Sequence, residues 1–124
     1  MSEPLLVVDA ANVVGSVPDG WWKDRAGAAI RLRDRLARLT PAGLPDLPGP
    51  LETVLVVEGK AKDIPDTEGV RVVRAPGSGD DTIVDLVATE GPGRRVVVVT
   101  ADRELRERVR SLGAEIRGPS TIPR

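Results

Sequence analysis

The chain has 124 residues and a formal net charge of −1, from 18 basic and 19 acidic side chains. That length suits one compact domain over residues 1–124, and the near-neutral balance gives no global positive field, so a polyanion would have to be held locally. With no cysteine and no histidine, disulfides, thiolate nucleophiles, imidazole bases and the usual zinc ligands are excluded.

The first apolar run, PLLVVD from Pro4 to Asp9, is rich in β-branched residues and predicts a strand buried on both faces. No basic region precedes it, and no apolar segment approaches the roughly 18 residues of a membrane span, so the expectation is a cytoplasmic protein without a membrane partner. The strand stops at an acid, and three residues later comes Asn12. Asn12 reads either as a turn or cap leading out of the strand, or as an amide that orients Asp9 or a metal-bound water.

Next, Trp22, Ala29 and Leu36 recur every seventh residue, with Leu32 and Leu39 in adjacent positions, which predicts a helix over 21–39 with one apolar stripe. Arg25 lies seven residues before Leu32 and continues that stripe at the end nearest the carboxyl edge of the sheet. It reads either as a phosphate clamp or as a structural ion-pair partner for a nearby carboxylate. Trp21 and Trp22 are the only aromatic residues; core packing is the first reading, and a surface on which a base stacks is the second. The proline-rich TPAGLPDLPGP, Thr40 to Pro50, predicts a loop.

A second strand, TVLVVE, ends at Glu58 and is followed by Lys60 and Lys62, loop lysines within reach of a backbone phosphate. The crossover from Gly59 to Gly69 is close to the shortest that can join parallel strands. A third strand, VRVVRA from Val70 to Ala75, leads through GSGDD into a helix from Asp80 to about Glu90, with Ile83, Val84, Leu86 and Val87 inward. The fourth strand, RRVVVVT, ends at Thr100 and is followed by Ala101 and Asp102. A last helix over 103–112 places Leu105, Val109 and Leu112 at helical spacing before Gly113 as its C-cap, with Arg106 positioned to meet Asp102. AEIR, Ala114 to Arg117, predicts a short final strand.

Strands alternating with helices predict an α/β domain with a central, mainly parallel sheet, whose right-handed crossovers bring every strand's carboxyl end to one edge. Asp9, Glu58, the pair Asp80 and Asp81, and Asp102 all fall at that edge. Any one of these acids is explained as a cap or turn residue. Together they repel one another unless something positive sits among them, and an all-oxygen set without histidine or cysteine favours Mg²⁺ or Mn²⁺. Metal-assisted chemistry on a phosphate follows. Competing phosphate motifs fail: there is no G-x-x-x-x-G-K-[ST], and neither GSGDD nor GPGRR completes G-x-G-x-x-G. A phosphoaspartyl enzyme would carry a second acid two residues after Asp9, where this chain has Ala11.

The first strand ending in D-x-x-N, the helix RAGAAIRLRDRL, the second strand ending in an acid before GKAK, the acid opening GSGDDTIVDLV, and VVVVTADRELRERVRSLGAEI together resemble the NYN domain, a branch of the PIN-like nuclease superfamily. The match covers nearly the whole chain. The resemblance implies a three-layer α/β/α sandwich and a ribonuclease whose acids hold one or two Mg²⁺ or Mn²⁺ ions that activate water against an RNA phosphodiester. Asp9, Asn12, Asp80 and Asp102 match the family's site residues, and Thr100 matches the hydroxyl partner of the last acid. Asp81 is the alternative to Asp80. Glu58 stands where aspartate is common, keeping the charge on a longer arm. The other reading is a non-catalytic NYN-like module that binds RNA or a protein, with a protein partner or a second copy of the chain as further options.

Overall fold

The computed structural model describes residues 3–16, 20, 23–59 and 64–123. Trp21, Trp22, Lys60 and Lys62 lie outside the described residues.

Five strands form one parallel sheet: β1 (Leu5–Asp9), β4 (Glu52–Val57), β5 (Val70–Arg74), β6 (Val96–Val99) and β7 (Glu115–Arg117), in the order β5-β4-β1-β6-β7. Each falls on a run expected to be a strand. The period of two decides which layer each side chain joins. Leu6, Val8, Leu55, Val57, Val97 and Val99 face one layer, built by α1 (Ala10–Gly15) and α2 (Arg25–Leu39). Leu5, Val7, Val54, Val56, Val96 and Val98 face the other, built by α3 (Gly79–Glu90) and α4 (Arg103–Arg110). The result is the expected three-layer α/β/α sandwich.

The strand order places the site. From β1 the chain moves to β4 and β5 on one side, then returns to lay β6 on the other side of β1. The direction of winding reverses between β1 and β6, and the connections leaving their carboxyl ends diverge to opposite faces, opening a crevice there.

Several expectations are corrected. The long helix begins at Arg25 rather than at residue 21, because Asp24 caps it with a 2.9 Å bond from the Gly27 amide. Arg25 is therefore exposed in the first turn, and the buried stripe is carried by Ala28, Ala29, Leu32 and Leu36. A short helix, α1, follows β1 directly, because the Asp9 side chain accepts from the Asn12 amide and caps it. The proline-rich loop contains a small antiparallel ribbon, β2 (Gly43–Leu44) with β3 (Leu47–Pro48). Gly43 has φ +83°, and a Cβ there would meet the Leu47 carbonyl, so glycine is required at that turn. β5 is an edge strand and only half-buried, since no strand among the described residues pairs with its outer side. Leu112 is 47 % exposed: α4 stops at Arg110, and the turn to Gly113 (φ +92°) takes Leu112 off the helical stripe.

Candidate active site

The crevice beyond the carboxyl edge is an open cleft of about 630 Å³ lined by Asp9, Asn12, Glu58, Ser78, Asp80 and Asp102, with Ala11, Gly59 and Gly77 between them. Residues from the ends of β1, β4 and β6 and from the start of α3 thus meet in one space.

Asp9 is at its centre, 8 % exposed. Its Oδ2 accepts a 3.0 Å hydrogen bond from the fully buried Thr100 hydroxyl, and that same Oγ1 accepts from the Asp102 amide at 3.1 Å. One hydroxyl therefore fixes the aspartate of β1 and the backbone of the acid after β6. Asn12 makes a second tie across the crevice, its Oδ1 accepting from the Ala101 amide at 2.8 Å. Neither sequence reading of Asn12 named that partner; its backbone N–H donates to the capping Asp9 Oδ1 at 3.4 Å. Arg106 donates from Nε to the Thr100 carbonyl at 2.9 Å, rather than to the Asp102 carboxylate, and holds the same segment from the other side. Asp102 caps α4, its Oδ1 accepting from the Leu105 amide at 2.8 Å.

The structure separates the two adjacent aspartates. Asp80 lines the cleft, whereas Asp81 is turned away and pairs with Arg108 at 3.0 Å. Ser78 sets that difference by capping α3, its hydroxyl accepting from the Asp80 amide at 3.1 Å. Glu58 reaches across and accepts from the Gly79 amide at the start of α3. A Cβ on Gly79 would lie 2.6 Å from Glu58 Oε2, so the glycine is there for close approach. Sequence reading assigned nothing to Ser78; the Ser-x-x-acid spacing from Ser78 to Asp81 before a helical run was the available signal.

Charges in the cleft act on one another. Burial pushes the Asp9 carboxyl from 3.8 up to about 6; the bonds from Thr100 and Asn12 oppose the rise, and the Asp80 and Glu58 charges add to it. Asp80 is raised by burial, then by Asp102 and Glu58, with Arg108 pulling it back. Asp9 and Asp80 thus sit where burial and neighbouring negative charge both disfavour their ionisation.

The chemistry of this donor set fits a hard divalent cation: it is all oxygen, negatively charged and open to solvent. Among the described residues no three acids converge tightly enough to hold an ion by themselves.

Arg25 lies beside this cleft rather than in it. It lines a smaller adjoining cavity of about 110 Å³ with Ala10, Ala11, Val14, Ala29, Glu58 and Gly59.

Five parallel strands between two helical layers, with the cleft at the reversal point, define a three-layer α/β/α class. Among solved structures, Rae1 (YacP) from Bacillus subtilis matches with a TM-score of 0.73 at 19 % identity, over 98 % of this chain and 71 % of that one. A mutant of the same protein matches with a TM-score of 0.70 at 16 % identity, over 94 % and 70 % of the two chains. At those identities the likeness shows the fold. Neither a protein-family model nor a curated protein sequence matches the chain. Among the described residues no helix is long and apolar enough to cross a membrane.

Proposed function

We propose that the chain is a divalent-metal-dependent ribonuclease of the NYN kind, hydrolysing phosphodiester bonds in RNA. The observation that carries this reading is the gathering of Asp9, Glu58, Asp80 and Asp102 on one open cleft at the reversal point of a parallel sheet. Folding alone does not call for such a gathering, because beyond the effect of burial the Asp80 and Glu58 charges raise the Asp9 pKa and the Asp102 and Glu58 charges raise that of Asp80. The PIN-like fold supports the same reading.

Asp9, Asp80 and Asp102 would hold Mg²⁺ or Mn²⁺, which when bound supplies Lewis-acid stabilisation of phosphate charge and lowers the pKa of water. The chain's other residues set the positions. Thr100 fixes the Asp9 rotamer and the Asp102 backbone together. Asn12 locks the segment between them. Glu58 has one oxygen engaged by Gly79, so its role is to hold the start of α3, and with it Asp80, against the sheet. Arg25, which lines the cavity beside the cleft, would meet a phosphate of the RNA strand.

The wide spacing of the acids favours a second reading, a non-catalytic module that binds RNA or a protein. Incubation of purified protein with single-stranded and structured RNA in Mn²⁺, in Mg²⁺ and in EDTA decides between them. The ribonuclease reading expects cleavage that EDTA stops and that Asp80→Asn abolishes. Equal cleavage by wild type and Asp80→Asn points to a contaminant, and no cleavage with either metal selects the binding module.

A further inference from the structure

Most of the described arginines are engaged by a carboxylate, a carbonyl or another group. Arg38, Arg74, Arg103 and Arg110 make no hydrogen bond or ion pair among the described residues. Helix electrostatics account for two of these. Arg38 and Arg110 lie in the last turns of α2 and α4, where a cation complements the negative end of the helix dipole. Both stand away from the cleft, because these helices run from the carboxyl edge of the sheet back to its amino edge. Arg103 has no such explanation. It is exposed in the first turn of α4, directly after Asp102, where the dipole disfavours positive charge. Nor has Arg74, an exposed residue that closes β5 opposite Val57. Neither is among the principal groups that shift Asp9 or Asp80; Arg108 is the cation that acts on Asp80. Counter-charge for those two acids is therefore not their role.

Their positions bracket the cleft. Along the carboxyl edge the order runs from Arg74 on β5, past Glu58 after β4 and Asp9 on β1, to Asp102 and Arg103 after β6. Three strand spacings of about 4.8 Å separate β5 from β6, so the ends of that row are roughly 14 Å apart at the level of the backbone. The row also changes layer. Val72 packs toward α1 and α2, so Arg74, two residues on, stands on that side, whereas α4 carries Arg103 on the opposite one. A line joining the two arginines crosses the cleft diagonally, over the acids.

We infer that Arg74 and Arg103 hold backbone phosphates on the two sides of the cleft and so set the path of an RNA strand across the carboxyl edge. A strand of a few nucleotides covers the distance, with positive charge at both ends of the crossing and the acids beneath its middle. The inference rests on RNA as the ligand of the cleft and adds where the strand runs. Both arginines are positioning residues that act by charge on phosphate, so they confer no preference among bases.

Counterion release counts such contacts. Fluorescence anisotropy of labelled oligouridylate and oligoadenylate is followed in EDTA over a series of salt concentrations, on full-length protein carrying Asp80→Asn so that the strand stays uncut. Arg74→Gln and Arg103→Gln should each weaken binding of both oligomers roughly fivefold at low salt, and each should flatten the slope of log K against log salt by about 0.7. Arg38→Gln combined with Arg110→Gln removes as much charge as the other two together, but at the opposite edge, and should leave the slope unaltered. An equal loss from the Arg38 and Arg110 pair, a slope that either Arg74→Gln or Arg103→Gln leaves unchanged, or no binding of either oligomer would overturn the inference. Cleavage in Mn²⁺ by the chain with Asp80 intact separates this result from the nuclease question. Cleavage with unchanged slopes sustains the ribonuclease and sinks the strand path, whereas flattened slopes in a chain that never cleaves sustain the path and select the binding module.

Discussion

Asp9 combines a buried carboxylate, a cap for α1 and a hydroxyl partner in one residue. Its raised pKa makes the stability of the metal-free protein depend on pH with a definite sign. The protonated form is the one the fold favours, so Asp9's contribution is fully present below pH 3.8 and is lost as pH rises through about 6. Such a rise corresponds to about 3 kcal/mol. Asp9→Asn keeps an acceptor for the Asn12 amide and removes the charge. In EDTA the variant should match wild type near pH 4 and exceed it by up to about 3 kcal/mol above pH 6, read from denaturant melts at both pH values. A difference that does not change with pH would mean that ionisation of Asp9 is not the source of strain. The other acid in doubt, Asp81, pairs with Arg108 on the surface, and an exposed pair of that kind contributes little.

At the scale of elements, the site depends on how three helices start. Asp9 caps α1, Asp102 caps α4, and Ser78 with Glu58 anchors α3. Acids at helix N-termini complement the helix dipole, which partly offsets the repulsion among them. Glu58 and Asp80 should therefore respond oppositely to substitution even though both line one cleft. Glu58→Ala removes an acceptor from the first turn of α3 and should destabilise the metal-free protein by about 1 kcal/mol, with Glu58→Gln in between because its amide oxygen still accepts. Asp80→Asn, which loses repulsion and no hydrogen bond accepted by its side chain among the described residues, should melt higher than wild type in EDTA. Thermal melts of the three variants check this, and a lower melting point for Asp80→Asn would place that side chain among the structural caps.

For the whole molecule, a cation bound only by the folded chain stabilises it by mass action. At about a hundred times its dissociation constant the gain is near 2.7 kcal/mol. Wild type in excess Mn²⁺ should show a melting point raised accordingly, and Asp80→Asn should show a much smaller shift. A wild-type curve that Mn²⁺ leaves unmoved would remove the metal from the proposed function, whatever the RNA-binding experiment reports.

How far the chain was legible from its sequence follows from the range of the interactions involved. Strands β1, β4 and β6 were readable because a strand buried on both faces must be apolar at every position, and the acids closing β1 and β4 and following β6 were visible as interruptions of those runs. Local signals also located α3 and α4. The order β5-β4-β1-β6-β7 was not in the pattern, and it alone sets Asp9 against Thr100 and Asn12 against Ala101, pairs some ninety residues apart. The choice between Asp80 and Asp81 depended on the Ser78 cap and on Arg108 from a different helix. The start of α2 depended on Asp24, and with it the position of Arg25 on a small cavity rather than on the buried stripe. Sequence alone thus determined which residues could carry charge to one edge of a parallel sheet, because period and composition act over a few residues. Only the tertiary structure decided which of those residues share a cleft, because that is set by strand order and by hydrogen bonds between segments distant in the chain.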